Sequence, residues 1–254
     1  MPLVRNDLFI RVKHAVGRAI GDFDLIGDGD RIAGAVSGGK DSFTLLHILD
    51  ELRRRAPVRY ELVAVNIDPV YPGYQTDIIE RHLREEGFAY HMERTDHYKV
   101  IEEKRRPGSS YCSICARLKR GVLYTVAQRL GCNKLALGHH LDDFVETLLL
   151  NQFFVGSLKA MAAKMLADNG HTTVIRPLVY VPEEDIVAFA RDNAFPQVGG
   201  CCPARDVADM KRQRMKALLK ELEKEYPFVK SSLLNALGNV HPRHLLDLDL
   251  KKDS

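Results

Sequence analysis

The sequence predicts an α/β fold built on a doubly wound, mainly parallel sheet of five strands. Short apolar runs, each too short for a buried helix, alternate with segments of helical periodicity, and this alternation is typical of βαβ units. The 254 residues are 45% hydrophobic and 28% charged, which is enough to bury a full core without disulfides. In such a fold, ligands bind at the carboxyl ends of the strands, so the residues that follow each strand are the candidate site residues.

The predicted elements begin with an N-terminal helix over residues 7–20, where apolar side chains recur at helical spacing. The predicted strands are 31–36, 62–67, 88–92, 134–137 and 172–176. The predicted helices that follow are 41–55, 75–86, 113–130, 141–154, 182–193, 204–224 and 226–238. We therefore expect three parts, which are an N-terminal helical segment (1–28), an α/β domain (29–200) and a C-terminal helical extension (201–254).

Composition excludes several broad classes of protein. No apolar run approaches the roughly 20 residues of a membrane helix, and the first residues lack the basic and then apolar layout of a signal peptide. Five cysteines, an odd number, favour a reducing compartment over a disulfide framework. We therefore expect a cytoplasmic protein that has no membrane partner and that uses clustered thiols for metal or redox chemistry.

Basic residues are concentrated in one stretch, although the formal net charge is only +3. Residues 104–120 contain no acidic residue and six basic ones, which are Lys104, Arg105, Arg106, Arg117, Lys119 and Arg120. Such a local field suits phosphate groups or RNA, although a solvated loop and helix face has the same composition.

The strongest motif is a six-residue loop that joins the first predicted strand to the helix after it. Its residues are Ser37, Gly38, Gly39, Lys40, Asp41 and Ser42. Consecutive glycines let backbone N–H groups approach an anion, and the hydroxyls, the ammonium group and the helix N-terminus add donors and positive potential. Asp41 stands where a Walker A loop has the Ser or Thr that holds magnesium, so we reject an ordinary nucleoside triphosphatase. The sequence predicts a phosphate-binding loop of another class.

A second polar motif follows the predicted strand 134–137 and opens the next helix. Its residues are Gly138, His139, His140, Leu141, Asp142 and Asp143. In a doubly wound sheet this edge can lie beside the phosphate loop, with Gly138 admitting a nucleotide and Asp142 or Asp143 reaching substrate or magnesium. His139 and Asp143 are spaced like a metal pair, but two ligands do not make a metal site. The alternative interpretation is a helix cap, because acidic side chains are favourable in a first helical turn.

The cysteines form two separated groups and one single residue. Cys112 and Cys115 form a C-x-x-C pair, whereas Cys201 and Cys202 are adjacent and follow two glycines. Such thiols can be redox partners, zinc ligands or iron–sulfur ligands, and three ligands are easier to converge than four because adjacent side chains diverge. Three thiolates on a cubane cluster would leave one iron open for an exogenous sulfur. The alternative is unrelated free thiols, and Cys132 is expected to pack in the core.

Taken in order, these motifs resemble the TtcA family of tRNA 2-thiocytidine synthetases. The segment SGGKDS resembles the loop of the PP-loop ATP pyrophosphatase superfamily, and HHLDDFVET resembles the second signature of its RNA-modifying members. The segments YCSICARLKRG and VIRPL and a late cysteine complete the order, so that the resemblance covers residues 31–245. The resemblance implies that ATP with Mg²⁺ adenylates cytidine 32 of tRNA, and that sulfur carried on a [4Fe-4S] cluster then expels AMP. It implies a sulfur donor such as a cysteine desulfurase, and it is compatible with a homodimer.

Carried across motif by motif, the resemblance assigns roles to individual residues. Cys112 and Cys115 would bind the cluster together with Cys202, and Cys201 is the alternative third ligand. Lys119, one helical turn beyond Cys115, would face the nucleotide or the activated base. Lys40, like the rest of its loop, would bind ATP and act in catalysis, and Gly138 and His139 would lie at the nucleotide. Asp143 is the first candidate for the catalytic or magnesium-binding carboxylate, and Asp142 is its rival.

RNA is expected to dock on residues 104–120 and on further basic residues near the C-terminus, which are Arg205, Lys211, Arg212, Arg214 and Lys216. Three other functions stay open. They are a PP-loop tRNA 2-thiouridine synthetase, an iron-free tRNA-adenylating ligase similar to lysidine synthetase, and a zinc-stapled RNA-binding protein without activity.

Overall fold

The computed structural model describes residues 3–70, 73–104, 111–196, 198 and 210–246. The chain forms two compact units. Residues 1–140 and 162–208 form the first, which we call the sheet unit, and residues 141–161 and 209–254 form the second, which we call the helical unit. Residues 141–161 therefore share a unit with the C-terminal residues, whereas the sequence-based division groups them with the α/β domain.

The sheet unit is built on six strands. They are β1 (Asp30–Ala35), β2 (Tyr60–Asp68), β3 (Ala89–Arg94), β4 (Lys134–Ala136), β5 (Lys164–Leu166) and β6 (Thr173–Ile175). Their order is β3-β2-β1-β4-β6-β5, and all neighbours are parallel except β5 and β6. The chain order reverses between β1 and β4, and in a doubly wound sheet such a reversal opens a crevice at the carboxyl ends of the strands. The predicted parallel α/β fold is thus confirmed.

Nine helices occur in the described ranges. They are α1 (Asp7–Asp22), α2 (Lys40–Arg53), α3 (Thr76–Glu85), α4 (His97–Lys104), α5 (Tyr111–Arg129), α6 (Leu141–Phe154), α7 (Glu183–Asp192), α8 (Met210–Glu225) and α9 (Val229–Ala236). A short 3₁₀ turn, Pro242–His244, follows them. Within the described part of the chain, no helix combines the length and the apolar character needed to span a membrane.

The central strands explain why the sequence pattern identified the sheet. Four of the six residues of β1 and seven of the nine residues of β2 are buried, as expected for parallel strands that are covered on both faces. One core cluster joins Ala33, Val65, Leu135 and Val174 from four strands. Cys132 is only 4% exposed and packs in the same cluster, so its predicted role as a packing residue is confirmed.

Two elements were not predicted. β5 has three exposed residues and pairs antiparallel with β6 at the sheet edge, so it carries no buried apolar pattern by which it could be recognised. α4 is short and half of its eight residues are charged, so it shows little of the apolar periodicity that predicts a helix. The predicted helix 204–224 begins at Met210 in the structure, and residues 204–209 lie outside the described ranges.

The helical unit has a small core of its own. Leu141, Val145 and Leu149 recur on one face of α6, and they pack against Met215 and Leu219 of α8. Leu233 and Leu234 of α9 pack on the same cluster. The predicted helix 226–238 corresponds to α9, which is shorter at both ends.

Candidate functional site

The phosphate loop lies between β1 and α2, and its shape depends on a glycine. Gly38 has φ of +82°, and a Cβ atom there would lie 2.8 Å from the Cβ of Val198 and 2.9 Å from the Cδ1 of Ile79. The backbone N–H of Val198 also donates to the carbonyl of Gly38 over 3.1 Å. Only glycine combines this backbone conformation with such close neighbours. The loop is therefore held from two sides, by α3 and by the segment that follows α7.

Hydrogen bonds inside the loop fix its curvature. The hydroxyl of Ser42 donates to the carbonyl of Gly39 over 2.8 Å, and it accepts from the backbone N–H of Ser37 over 3.2 Å. Among the described residues, the N–H groups of Gly38 and Gly39 have no hydrogen-bond acceptor. Two adjacent backbone N–H groups that point to no protein acceptor form a concavity of the kind that binds a phosphate oxygen.

Lys40 supplies the positive charge of the loop and is held by two carboxylates. Its Nζ lies 3.0 Å from Oδ1 of Asp41 and 3.3 Å from Oε1 of Glu183. Burial acts to lower the pKa of the Lys40 ammonium, but the two carboxylates outweigh it and raise the pKa above its ordinary value. Sequence reasoning missed Glu183. The acidic residues that open α7 are favourable partners of its helix dipole, and nothing in the sequence links them to a loop so far upstream.

The end of β4 packs directly against this loop. A Cβ atom on Gly138 would lie 3.1 Å from the carbonyl carbon of Asp41 and 3.2 Å from the backbone nitrogen of Ser42. Gly138 therefore lets the chain approach the first turn of α2 at van der Waals distance. The two polar motifs meet here, as the strand order requires.

The two histidines after Gly138 differ in their surroundings. Nδ1 of His139 accepts a hydrogen bond from Nε of Arg176 over 3.2 Å. His140 is only 5% exposed, and its Nε2 lies 3.9 Å from Oδ1 of Asp41. Among the residues that the structure describes, no three His, Cys, Asp or Glu side chains are arranged to hold a metal ion.

Asp142 and Asp143 lie in the first turn of α6, in the helical unit. Asp142 is 4% exposed, and its Oδ1 lies 2.8 Å from Nζ of Lys230. Asp143 is more exposed, and its Oδ1 lies 3.6 Å from a guanidinium nitrogen of Arg212. Glu146, one turn further along α6, lies 2.9 Å from Nε of Arg212. Burial raises the pKa of Glu146, and Arg212 opposes this shift.

The cysteine pair lies in the first two turns of α5. Residues three apart share a face of a helix, which is the relation between Cys112 and Cys115. Cys115 is 8% exposed. The side chain of Cys112 and the whole of Cys201 and Cys202 lie outside what the structure describes.

The basic residues are spread over both units. Lys119 lies on α5. The pKa of His97 is lowered first by burial and second by the positive charge of Lys119. In the helical unit, four of the expected RNA-binding residues lie on the first two turns of α8, which are Lys211, Arg212, Arg214 and Lys216. Arg105, Arg106 and Arg205 lie outside the described ranges.

The fold and the loop are those of the PP-loop class of proteins. The sequence profile of the PP-loop domain matches residues 11–198. Among solved structures, the U34-tRNA thiolase NcsA from Methanococcus maripaludis, which is described with its [4Fe-4S] cluster, matches with a TM-score of 0.77. It is 24% identical and the match covers 92% of this chain and 80% of that one, so the likeness shows a shared fold.

Full-length relatives define the family more narrowly. A tRNA-cytidine(32) 2-sulfurtransferase from Geobacter sulfurreducens is 71% identical over 252 residues, which cover 99% of this chain and 98% of its own. The protein of the same name from Citrifermentans bemidjiense is 69% identical over 252 residues, which cover 99% of each chain. The chain therefore belongs to the tRNA-cytidine(32) 2-sulfurtransferase family of PP-loop proteins.

Proposed function

We propose that this chain is an ATP-dependent tRNA thiolase that converts cytidine 32 to 2-thiocytidine, the reaction that the names of its relatives describe. One observation carries the proposal. A phosphate loop with an unusual glycine conformation and a carboxylate-held lysine lies in a chain that matches the named sulfurtransferases almost end to end. Formation of 2-thiouridine in place of 2-thiocytidine would favour the 2-thiouridine synthetase, and the iron-free ligase and the inactive binding protein are outcomes of the test described below.

The chemistry requires an activated base, because an oxide or hydroxide ion is a poor leaving group at neutral pH. In the proposed course the exocyclic oxygen of the cytosine attacks the α-phosphate of ATP, and pyrophosphate leaves. A sulfide-level sulfur atom then attacks C2 of the base, the C2–O bond breaks, and AMP departs with the oxygen, so that no oxidant or reductant is consumed. The N–H groups of Gly38 and Gly39 and the ammonium of Lys40 would hold the outgoing pyrophosphate, where their positive potential stabilises the developing charge. Glu183 and Asp41 support this role because they position the ammonium group.

The residues that would hold a [4Fe-4S] cluster are Cys112, Cys115 and either Cys202 or Cys201. Two features of α5 fit thiolate ligands. The pair lies at a helix N-terminus, where the helix dipole stabilises negative charge, and basic residues surround it in the sequence. The burial of Cys115 is also typical of a ligand shielded from solvent. When bound, such a cluster would carry the sulfur that is transferred.

The carboxylate that binds magnesium or substrate is assigned to Asp143 in preference to Asp142. Asp142 is buried, and its Oδ1 forms an ion pair with Nζ of Lys230 at 2.8 Å. Asp143 is more exposed, which suits a carboxylate that meets a ligand from solvent. Lys119 is assigned to the nucleotide or the activated base. The sulfur donor, a cysteine desulfurase, and the homodimer belong to the proposal by resemblance alone.

Cofactor content and product formation test the proposal together. Protein purified without oxygen should contain about four irons and four sulfides per chain after reconstitution. Cys115→Ala should lose them and should form no 2-thiocytidine in tRNA. Cys132→Ala is the matched control, because Cys132 is also buried but packs in the sheet core. This control should keep its iron and its product.

The alternatives predict different results. Stoichiometric zinc would contradict the cluster and would favour the zinc-stapled RNA-binding protein, whereas product formation that survives in Cys115→Ala would favour an iron-free PP-loop enzyme. Lys40→Met should abolish release of pyrophosphate while the iron content stays unchanged. Failure of the unmodified chain to release pyrophosphate with any tRNA would instead favour the inactive binding protein.

A further inference from the structure

An exposed apolar patch lies at the end of α6, in the helical unit. The core residues Leu141, Val145 and Leu149 recur every four residues along α6 and pack against α8 and α9. Phe153 continues this spacing, but it is exposed to solvent. The patch consists of four side chains that are between 47% and 65% exposed, which are Phe153, Phe154, Val155 and Leu158. Clusters of exposed large apolar side chains are typical of interaction surfaces, whereas single ones are not.

The segments that form this part of the helical unit carry only positive charge. Residues 147–161 and 210–220 contain no acidic residue. They carry six basic residues, which are Lys159, Lys211, Arg212, Arg214, Lys216 and Lys220. Lys211 and Arg214 are three apart on α8 and share a face of it, and neither is paired with a carboxylate among the described residues. Such a surface is complementary to a polyanion, whereas a second copy of this chain would bring like charges together.

Lys211 joins the positive charge to the apolar patch. Its Nζ lies 4.7 Å from the centroid of the Phe154 ring, which is within the range of a cation–π contact. Lys13 lies over a phenylalanine ring in the same way, 5.3 Å from the centroid of Phe9, but Phe9 is only 3% exposed and belongs to the core. The ring of Phe154 is open to solvent. A ring and an ammonium group on one surface match the two parts of a nucleotide, because a base stacks on the ring and a phosphate binds the ammonium.

We propose that Phe154 is a stacking platform for an unpaired base of the tRNA substrate, and that Lys211 contacts a phosphate beside that base. An unpaired base fits better than a paired helix, because the bases of a helix already stack on one another and offer no free face. The identification of the RNA as tRNA rests on the proposed function, whereas the pairing of ring and ammonium does not. An anionic lipid surface and a second copy of the chain are outcomes of the test.

Binding of the full chain to two RNA probes tests the stacking platform. The probes are a tRNA that carries cytidine 32 and an RNA duplex without unpaired bases. Phe154→Leu keeps an apolar side chain but removes the ring, so it should weaken binding of the tRNA at least about fivefold and leave binding of the duplex unchanged. Phe154→Tyr keeps the ring and should retain the affinity of the unmodified chain. Phe228→Leu is the matched control, because Phe228 is also exposed in the helical unit and no described cation lies over its ring.

The salt dependence of tRNA binding separates the ring from the ammonium group. Lys211→Met should reduce the slope of log affinity against log salt concentration by about one, because one phosphate contact is lost. Phe154→Leu should lower the affinity without changing that slope, because stacking releases no counterions from the RNA. Lys13→Met is the matched control, because it removes an ammonium group from above a buried ring, and it should change neither quantity.

The outcomes separate this inference from the proposed function. Equal tRNA affinities of the unmodified chain and Phe154→Leu, or an affinity of Phe154→Tyr as low as that of Phe154→Leu, would overturn the platform even if thiolation proceeds. Self-association in sedimentation, or binding to phosphatidylglycerol vesicles, that is lost in Phe154→Leu while tRNA binding persists would overturn it as well. An unmodified chain that forms no 2-thiocytidine would contradict the proposed function, whereas binding of the tRNA that depends on the ring would still support the platform.

Discussion

The phosphate loop and the acidic turn of α6 both carry recognisable motifs, yet they are stabilised in opposite ways. The loop depends on backbone shape, because Gly38 is in a conformation that favours glycine and its neighbours leave no room for a Cβ atom. The acidic turn depends on side-chain charge. Asp142, Asp143 and Glu146 each lie within ion-pair distance of a basic residue from α8 or α9.

This difference determines which substitutions should matter in each region. At Gly38 even the smallest added side chain is damaging, because its Cβ atom would lie closer to two neighbours than van der Waals contact allows. The acidic turn should tolerate changes of side-chain shape but not changes of charge. A buried carboxylate that loses a cationic partner is poorly solvated, and this costs stability. The three predictions below use this contrast.

The largest effect is expected for Gly38→Ala. An alanine would combine a left-handed backbone with contacts of 2.8 and 2.9 Å, so the free energy of unfolding should fall by about 3 kcal/mol. Binding of an ATP analogue should fall at least tenfold, since the loop must change shape. Chemical denaturation and calorimetry measure both quantities.

Gly39→Ala is the matched control for stability. Gly39 has an ordinary extended backbone with φ of −88°, and the nearest atom to an added Cβ is Oγ of Ser37 at 3.5 Å. Its free energy of unfolding should fall by less than about 1 kcal/mol. Equal losses in the two variants would show that the loop is not restrained at Gly38 as the contacts indicate.

An intermediate effect is expected for Lys230→Met. The side chain of Asp142 is only 6% exposed, so loss of the ammonium group 2.8 Å away removes a cationic partner from a buried carboxylate. The free energy of unfolding should fall by roughly 2 kcal/mol, and the double variant Asp142→Asn/Lys230→Met should regain part of that loss. Lys220→Met, an exposed position on the same helical unit, should change it by less than about 0.5 kcal/mol. If the double variant is as unstable as the sum of the two single variants, the ion pair is not what stabilises this turn.

The sequence predicted the loop better than it predicted the acidic turn, and the reason is local. The hydrogen bonds that Ser42 makes to Gly39 and Ser37 lie within one short segment, whose glycines and flanking strand and helix are visible in the sequence. The partners of the loop and of the acidic residues are not local. Glu183 reaches Lys40, and Lys230 reaches Asp142, only after the chain has folded.

The same distinction applies to the fold. The central strands were predicted because burial on both faces makes them continuously apolar, whereas β5 was missed because its residues are exposed. The cysteines proposed as cluster ligands are an extreme case. Their spacing indicates metal chemistry, but two adjacent thiols at 201 and 202 give no local signal that selects one of them.

The smallest effect, and the most dependent on pH, is expected for Arg212→Gln. The Arg212 side chain is 38% exposed, so solvent screens its interactions and the loss at neutral pH should be about 1 kcal/mol or less. Glu146 is buried, and without Arg212 its pKa should rise further above the ordinary value of 4.5. Below that value Glu146 is protonated in both the folded and the unfolded chain, so the variant loses little there. As the pH rises, the unfolded chain releases the proton first, and the stability of the variant should fall relative to the unmodified chain.

Urea denaturation at pH 4 and pH 7 measures this difference, with Arg214→Gln as an exposed control on the same helix. An equal loss of unfolding free energy at both pH values would show that the pKa of Glu146 does not depend on Arg212. The acidic turn would then tolerate a change of charge, whereas the phosphate loop at Gly38 does not tolerate a change of shape.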